Sequence, residues 1–559
     1  MESKIIIIIF TALLLCSIGP RDISATPTFW DDGSEQEVVS AIISQMNDQE
    51  LLGQVFMLGY VGQYPHLEFN NWIKNRQIGG VKIFSRNVKN LASLARDITN
   101  MQRSSMQGPF RIPLMVATDQ EGGWVNHLKA TTSKTAGNLA LGAIGLLRDS
   151  YLTGYYIGQE LREVGINMNF APTIDIYSNP DASVIGPRAF SSDPRQTAFL
   201  ALAYFRGMSR QGIICTAKHF PGHGAADKDS HGTLPVINIS FAEMWERELL
   251  PYRLLIKEGL PAIMGGHLAY PEILDNNDPS SLSPYFSYQV LREKMGFEGV
   301  LVTDDLEMNG ALVGGLTTAD ASQAALEAGN DMILIAHTPR IQEQAWNRLL
   351  RVIGKEPAFR QRIEQAVARI LKVKWRAFRG ENPVPLYPDP DQAARAIPSP
   401  ESADFFWQNS VRSVTLVKDM NIPFLPGEDE KLLIVGQFPG FLEEGLERYP
   451  QADTFLFPYS PFYYSLDRYR SAIVLKTEDY DTVIFCLANF NSLEILKSLE
   501  NSGKQILVIS TLTPVYLREI PWVTSSIAVY GTSRESFKSG FGALIGDFIP
   551  EGKLPVKFF

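Results

Sequence analysis

Between about residue 50 and residue 340 one pattern recurs eight times: a short apolar run rich in β-branched residues, a polar loop, then a longer amphipathic stretch. The apolar runs occupy residues 54–60, 80–84, 113–118, 167–171, 213–218, 262–266, 299–303 and 331–336, and stretches of helical period such as 150–164, 194–210 and 241–258 lie between them. Strands that alternate with helices must pair in parallel, because each helix carries the chain back to the edge where the next strand starts. Eight such units predict a closed (β/α)8 TIM barrel. A doubly wound open sheet competes, but the count of eight and the lack of a glycine-rich phosphate loop after the first run favour the barrel.

The barrel does not exhaust the 559 residues, so a second unit is expected. Residues 379–400 carry Pro383, Pro385, Pro388, Pro390 and Pro398 and read as a linker. Beyond them, strand-like runs at 413–417, 432–435, 482–487, 505–509 and 526–530 alternate with helical stretches such as 492–501, the pattern of a smaller α/β layered domain. At the N-terminus Lys4 precedes an apolar run from Ile5 to Cys16, broken only by Thr11. That run is shorter than the ~20 residues that span a bilayer, and reads as the core of a signal peptide cleaved near Ile23-Ser24-Ala25. The expected division is therefore signal peptide 1–25, catalytic barrel 26–378, linker 379–400 and C-terminal α/β domain 401–559, with the product exported to the periplasm or the medium. Cys16 sits where a lipidated cysteine could sit, but Leu15 before it is larger than such sites prefer. Cys215 and Cys486 fall in apolar runs of different domains and make no disulfide framework. A net charge of −10 argues against nucleic acid as a partner.

In a parallel barrel the chemistry gathers where the strands end. After the third run comes Asp119-Gln120-Glu121-Gly122-Gly123. The fourth leads through Asn169-Phe170-Ala171-Pro172 towards Asp175 and then Gly186-Pro187-Arg188-Ala189-Phe190. The fifth runs into Lys218-His219-Phe220-Pro221-Gly222-His223-Gly224 and on to Asp229-Ser230-His231; the sixth ends at His267 and the seventh at Thr303-Asp304-Asp305. A single aspartate at a strand end is commonly a helix cap, but capping does not account for five such clusters on one rim. Asp304, directly after an apolar strand, is held rigidly enough to attack an electrophilic carbon. Asp305 points away if the strand still alternates, and reads as structural or positioning. Asp229 beside His231 favours a protonated imidazole near neutral pH, able to donate a proton and later to take one from water. A metal site built from His219, His223, Asp227, Asp229 and His231 is the competing reading. Barrel metallohydrolases open with His-x-His after strand one, whereas this chain has Leu58-Gly59-Tyr60-Val61-Gly62 there. No metal or cofactor is expected.

These motifs resemble glycoside hydrolase family 3, and within it the β-N-acetylhexosaminidase branch. The likeness runs from Gly79-Gly80-Val81, through residues 119–123 and 218–224, to residues 302–308, and returns at Gly552-Lys553-Leu554-Pro555-Val556. Its most specific element is the 218–224 run followed by Asp229-Ser230-His231, which marks the branch whose acid/base is a histidine–aspartate dyad. The resemblance implies Asp304 as nucleophile, His231 as acid/base and Asp229 as its orienting partner. It also implies that Asp119, Arg188, Lys218 and His219 bind hydroxyls of the terminal sugar. The implied activity is exo-acting, retaining hydrolysis of terminal β-linked N-acetylglucosamine from peptidoglycan fragments or chitin oligomers. A β-glucosidase or β-xylosidase of the same family, and a phosphorylase that replaces water with phosphate, are the alternatives. A catalytically dead wall-binding module would be expected to lose Asp304 or His231, and both are present. One departure stands out: after residues 119–123 the family continues Arg-Val-x-Arg, whereas here the run is Trp124-Val125-Asn126-His127.

Overall fold

The computed structural model describes residues 26–128, 131–226, 229–230, 232–460 and 463–557. The signal-like segment 1–25 with Cys16, and His231, lie outside them. The expected barrel is present. Its strands are β1 (Phe56–Gly59), β2 (Gly80–Ile83), β3 (Met115–Thr118), β4 (Met168–Asn169), β5 (Ile214–Phe220), β6 (Ala262–Gly265), β7 (Val300–Asp305) and β8 (Met332–Ile335), one for each apolar run. They pair in parallel in sequence order, and β1 closes on β8 with Phe56 opposite Ile333 and Met57 opposite Gly80 on its other side. β4 is cut to two residues because Pro172 has no N–H for the ladder. Asn169 compensates, its side chain exchanging hydrogen bonds with the backbone of Gln120.

The outer helices bury their apolar stripes on the strands. Helices Leu147–Glu163 and Pro194–Ser209 pack backbone to backbone, since a Cβ on Gly154 would lie 2.1 Å from the Tyr204 carbonyl oxygen and one on Gly207 1.9 Å from that of Tyr151. The expected helix over 241–258 is two helices instead, Phe241–Glu246 and Leu249–Lys257. Pro251 accounts for the break, because it has no N–H for the carbonyl of Arg247, four residues back, and its ring would clash with that carbonyl in a continuous helix.

The second domain is a six-stranded sheet of β9 (Thr415–Asp419), β10 (Leu432–Gly436), β11 (Asp453–Leu456), β12 (Thr482–Leu487), β13 (Gln505–Ser510) and β14 (Ser525–Ala528). The order is β9-β14-β13-β12-β10-β11, parallel except for β9 against β14. Residues 379–400 run along the barrel: helix Pro390–Ala396 lies there, and Ala393, Ile397, Phe405 and Phe406 are buried with the barrel core. A shared apolar cluster of Ala136, Leu139 and Tyr177 with Val515, Tyr530 and Val556 joins the two domains. Ser191 Oγ and the Ser192 amide both donate to the Pro555 carbonyl at the same joint. Cys215 and Cys486 are buried free thiols.

Candidate active site

A cleft of about 490 Å³ opens at the carboxyl ends of the barrel strands. Asp119, Arg188, Lys218, His219, Asp229 and Asp304 all line it, joined by Lys82, Glu121, His127, His223 and His337. Six of the seven residues singled out in the sequence thus meet in one place, and the seventh, His231, is outside the described residues.

The floor is a network of buried charges. Lys82 on β2 and Lys218 on β5 both bond the Asp119 carboxylate, Lys218 at 2.5 Å. Lys218 also contacts Glu121 at 2.5 Å, and Arg188 grips Glu121 with two parallel bonds of 2.9 and 2.8 Å. Burial opposes the charge on Glu121, but Arg188 and Lys218 outweigh it and hold the carboxyl down at about 2. Asp119 is held well below the usual range in the same way by Lys218 and Lys82. Burial pulls the Lys82 ammonium down to about 8 against the attraction of Asp119. The ring of His127 adds to this floor, with Nε2 3.5 Å from Asp119 and Nδ1 3.1 Å from Ser85 Oγ.

His219 is fixed from behind. Asp175 meets its Nδ1 at 2.7 Å and accepts the backbone N–H groups of His219 and His223, so Nε2 turns into the cleft, 3.2 Å from Arg188. Burial disfavours the Asp175 carboxylate, yet His219 and these donors hold it at about 2. His223 is pushed down to about 4 by burial and then by the neighbouring His219, which leaves it neutral.

Asp304 is half-buried at the end of β7 and accepts the Asp305 amide at 2.8 Å. Burial works against its charge, but His219, His267, that amide and Lys218 together bring it below the ordinary value, so it is an ionised carboxylate at neutral pH. Asp305 lines the same cleft instead of pointing away, but its carboxylate is engaged: it meets His337 at 3.1 Å and accepts the Glu307 amide, tying the turn after β7 to the end of β8. His267 is fully buried and bridges Ser281 Oγ at 2.7 Å and the Asp305 carbonyl at 3.1 Å. The loop after β5 is pinned at the residue between Asp229 and His231. The Ser230 carbonyl accepts the Gly310 amide at 3.0 Å, and Ser230 Oγ lies 3.3 Å from His223 Nε2. A half-buried Asp229 therefore stands over the same cleft as Asp304.

Sequence reasoning gave no role to Lys82, Glu121 or His337. Lys82 did carry a signal, a lysine between Val81 and Ile83 in a strand that barrel closure buries on both faces. Glu121 has none, since one of three polar residues in a loop could face anywhere. Among the described residues no three of His, Cys, Asp and Glu are grouped to hold a metal ion.

A family model described as the glycosyl hydrolase family 3 N-terminal domain matches residues 48–373. A beta-hexosaminidase of Bordetella avium is 35% identical over 287 residues, covering 50% of this chain and 79% of that protein. Beta-hexosaminidase A of Pseudoalteromonas piscicida is 33% identical over 329 residues, and the chain spans 55% of its length. Among solved structures, a glycoside hydrolase family 3 β-N-acetylglucosaminidase from a Paenibacillus species superposes with a TM-score of 0.82 at 28% identity, over 92% of this chain and 99% of that one.

Proposed function

Because the chain belongs to glycosyl hydrolase family 3, we propose that it is an exo-acting β-N-acetylhexosaminidase that removes terminal β-linked N-acetylglucosamine with retention of configuration. The observation that carries this reading is Asp304 at the end of β7, facing a cleft floored by the ion-paired side chains of Lys82, Asp119, Glu121, Lys218 and Arg188. Asp304 attacks the anomeric carbon from one face while His231 gives its proton to the departing glycosidic oxygen, leaving a covalent glycosyl-enzyme. The imidazole, now neutral, takes a proton from water, whose oxygen displaces Asp304 and restores both groups. Asp229 favours the charged imidazole in the first step and orients it in the second. Lys218, Arg188, His219 and Asp119 present fixed donors and acceptors to the hydroxyls of the terminal sugar. The names of the relatives support the N-acetylhexosamine preference. The substrate class is peptidoglycan fragments or chitin oligomers, and residues 1–25 direct the chain out of the cytoplasm.

Release of nitrophenol from the β-N-acetylglucosaminide, β-N-acetylgalactosaminide, β-glucoside and β-xyloside, with and without phosphate, tests the reading. The N-acetylglucosaminide is expected to react fastest, with free sugar as product in both buffers. Preference for the glucoside or xyloside would return the other branch of the family, and formation of a sugar phosphate would make the chain a phosphorylase.

A further inference from the structure

Gly222 lies between His219 and His223, two of the side chains that line the cleft, and it leaves no room for a side chain of its own. Its φ is +141°, and a Cβ there would lie 2.8 Å from the Cβ of Glu248 and 2.9 Å from Glu248 Oε2. Glu248 is buried at the break between helices Phe241–Glu246 and Leu249–Lys257, so its side chain forms a wall against the loop after β5. Three other residues hold the same stretch. Asp175 accepts the amides of His219 and His223, and Tyr270 donates its hydroxyl to the Gly222 carbonyl. Tyr252 meets the ring of Phe220 edge to face at 5.4 Å.

Glu248 is only half satisfied in this position. Arg247 donates from Nε to its Oε1 at 2.6 Å, whereas among the described residues Oε2 has no hydrogen-bond partner. Arg247 is also shared with Glu243 on the preceding helix. The other ionisable groups around the carboxyl are Asp175, the phenols of Tyr252 and Tyr270, and, on the loop itself, His219 and His223. The Tyr252 hydroxyl is buried and likewise without a partner among the described residues. Burial disfavours the charged form of Glu248 in spite of Arg247, and Asp175 and Glu243 add to this, so the carboxyl is pushed up to about 7. A neutral carboxyl can rest against Gly222. A carboxylate with one oxygen unpaired in that wall must draw in a donor or move, and what rests on it is the backbone between His219 and His223.

We infer that Glu248 is a positioning residue: its carboxyl, seated against Gly222, sets where the loop after β5 presents His219 and His223 to the cleft. Glu248 does not line the cleft and acts only through the loop. This rests on the activity proposed above, in which His219 binds a hydroxyl of the terminal sugar. The protonated carboxyl keeps the seat, and its ionisation disturbs it, so the enzyme loses its grip on the sugar as the pH rises through about 7.

The test measures kcat and KM at pH 6 and pH 8 on whichever of the four nitrophenyl glycosides the parent enzyme cleaves fastest. Glu248→Gln keeps the shape and stays neutral at both values. Its ratio of kcat/KM at pH 8 to that at pH 6 is expected to exceed the parent's by about tenfold, because one unit above its midpoint the parent carboxyl is protonated in about a tenth of the molecules. The titration of His231 is common to both proteins and cancels in the comparison. Glu248→Ala removes the wall and should raise KM about tenfold at pH 6 with a smaller fall in kcat, and Glu248→Gln should recover most of that loss. Equal pH ratios in the parent and in Glu248→Gln would overturn the positioning role, whatever the alanine variant does. A parent enzyme that cleaves none of the four glycosides would overturn the proposed activity, and this role with it.

Discussion

Asp304 is charged in spite of its burial because His219, His267 and a backbone amide face it, and Lys218 lies behind. Asp304→Asn keeps the shape and removes the proposed nucleophile. It is expected to lower kcat by about a thousandfold or more with little change in melting temperature, and a 2-deoxy-2-fluoro glycoside should label the parent enzyme at Asp304 in a mass-mapped peptide. Product of inverted configuration would rule out the double displacement. For His231→Ala the defect should depend on the leaving group, since a dinitrophenolate needs no proton. The covalent intermediate should then accumulate as a burst, and azide should speed its breakdown. A variant slowed equally on good and poor leaving groups would move the acid/base elsewhere. The floor makes a prediction in pH. Glu121 and Asp175 are held at about 2, against 4.5 and 3.8 for the free side chains. The unfolded chain therefore takes up protons first as the pH falls, so the stabilisation from these pairs is complete above about pH 5 and drains away towards pH 2. Glu121→Gln should flatten that decline in melting temperature. It should also lower stability at pH 7 by about 3–5 kcal/mol, because Arg188 and Lys218 lose their buried partner. At this scale the residues that line the cleft were legible, since a strand end dictates where an aspartate stands. The charges beneath them were mostly not, because only the folded barrel brings Lys82, Asp119 and Glu121 together.

The barrel strands declared themselves as apolar runs because both faces of each are covered, one by helices and the other by the packed interior. β11 escaped notice for the opposite reason. It is an edge strand whose Asp453, Thr454 and Leu456 are exposed, so burial imprints no pattern on it. Pro251 marks the break in the sequence, but the amphipathic period of 241–258 continues through it and conceals it. Helix Pro357–Arg379 carries a further unmarked feature, Lys374, fully buried and donating a hydrogen bond of 3.0 Å to Gln54. Burial pushes its ammonium from 10.5 down to about 7. Between those values the unfolded chain binds a proton that the folded chain does not, so stability should rise as the pH climbs from 7 to 10. Lys374→Met should raise the melting temperature at pH 7 and abolish that rise, as thermal scans across the interval would show. A rise of unchanged steepness in the variant would place its origin elsewhere.

Across the whole molecule, the cluster around Tyr177, Tyr530 and Val556 makes one body of two folds. Val556 is 4% exposed there, and Val556→Asp would set an unpaired charge among apolar side chains. Calorimetry is expected to show the melting of both domains shifted down by several degrees; a barrel transition that stayed in place would mean that the domains are stable independently. Dialysis against a strong chelator should leave turnover unchanged, because the described histidines of the cleft are engaged with carboxylates, Ser230 and Arg188 rather than grouped as ligands. Activity that is lost and then restored by zinc would reverse the reading of the whole loop after β5. The ion pairs of Lys82, Asp119 and Lys218 lie at the floor of the cleft, and the exo-action proposed above would have a polymer enter only by its end and go no deeper than that floor. Each visit would then shorten a strand by one sugar and never cut it in two. In a solution of long chains, free monosaccharide would accumulate steadily while the viscosity scarcely fell. The pace would follow the number of chain ends rather than the mass of polymer, so an enzyme that cleaves in mid-chain would raise the yield simply by making more ends.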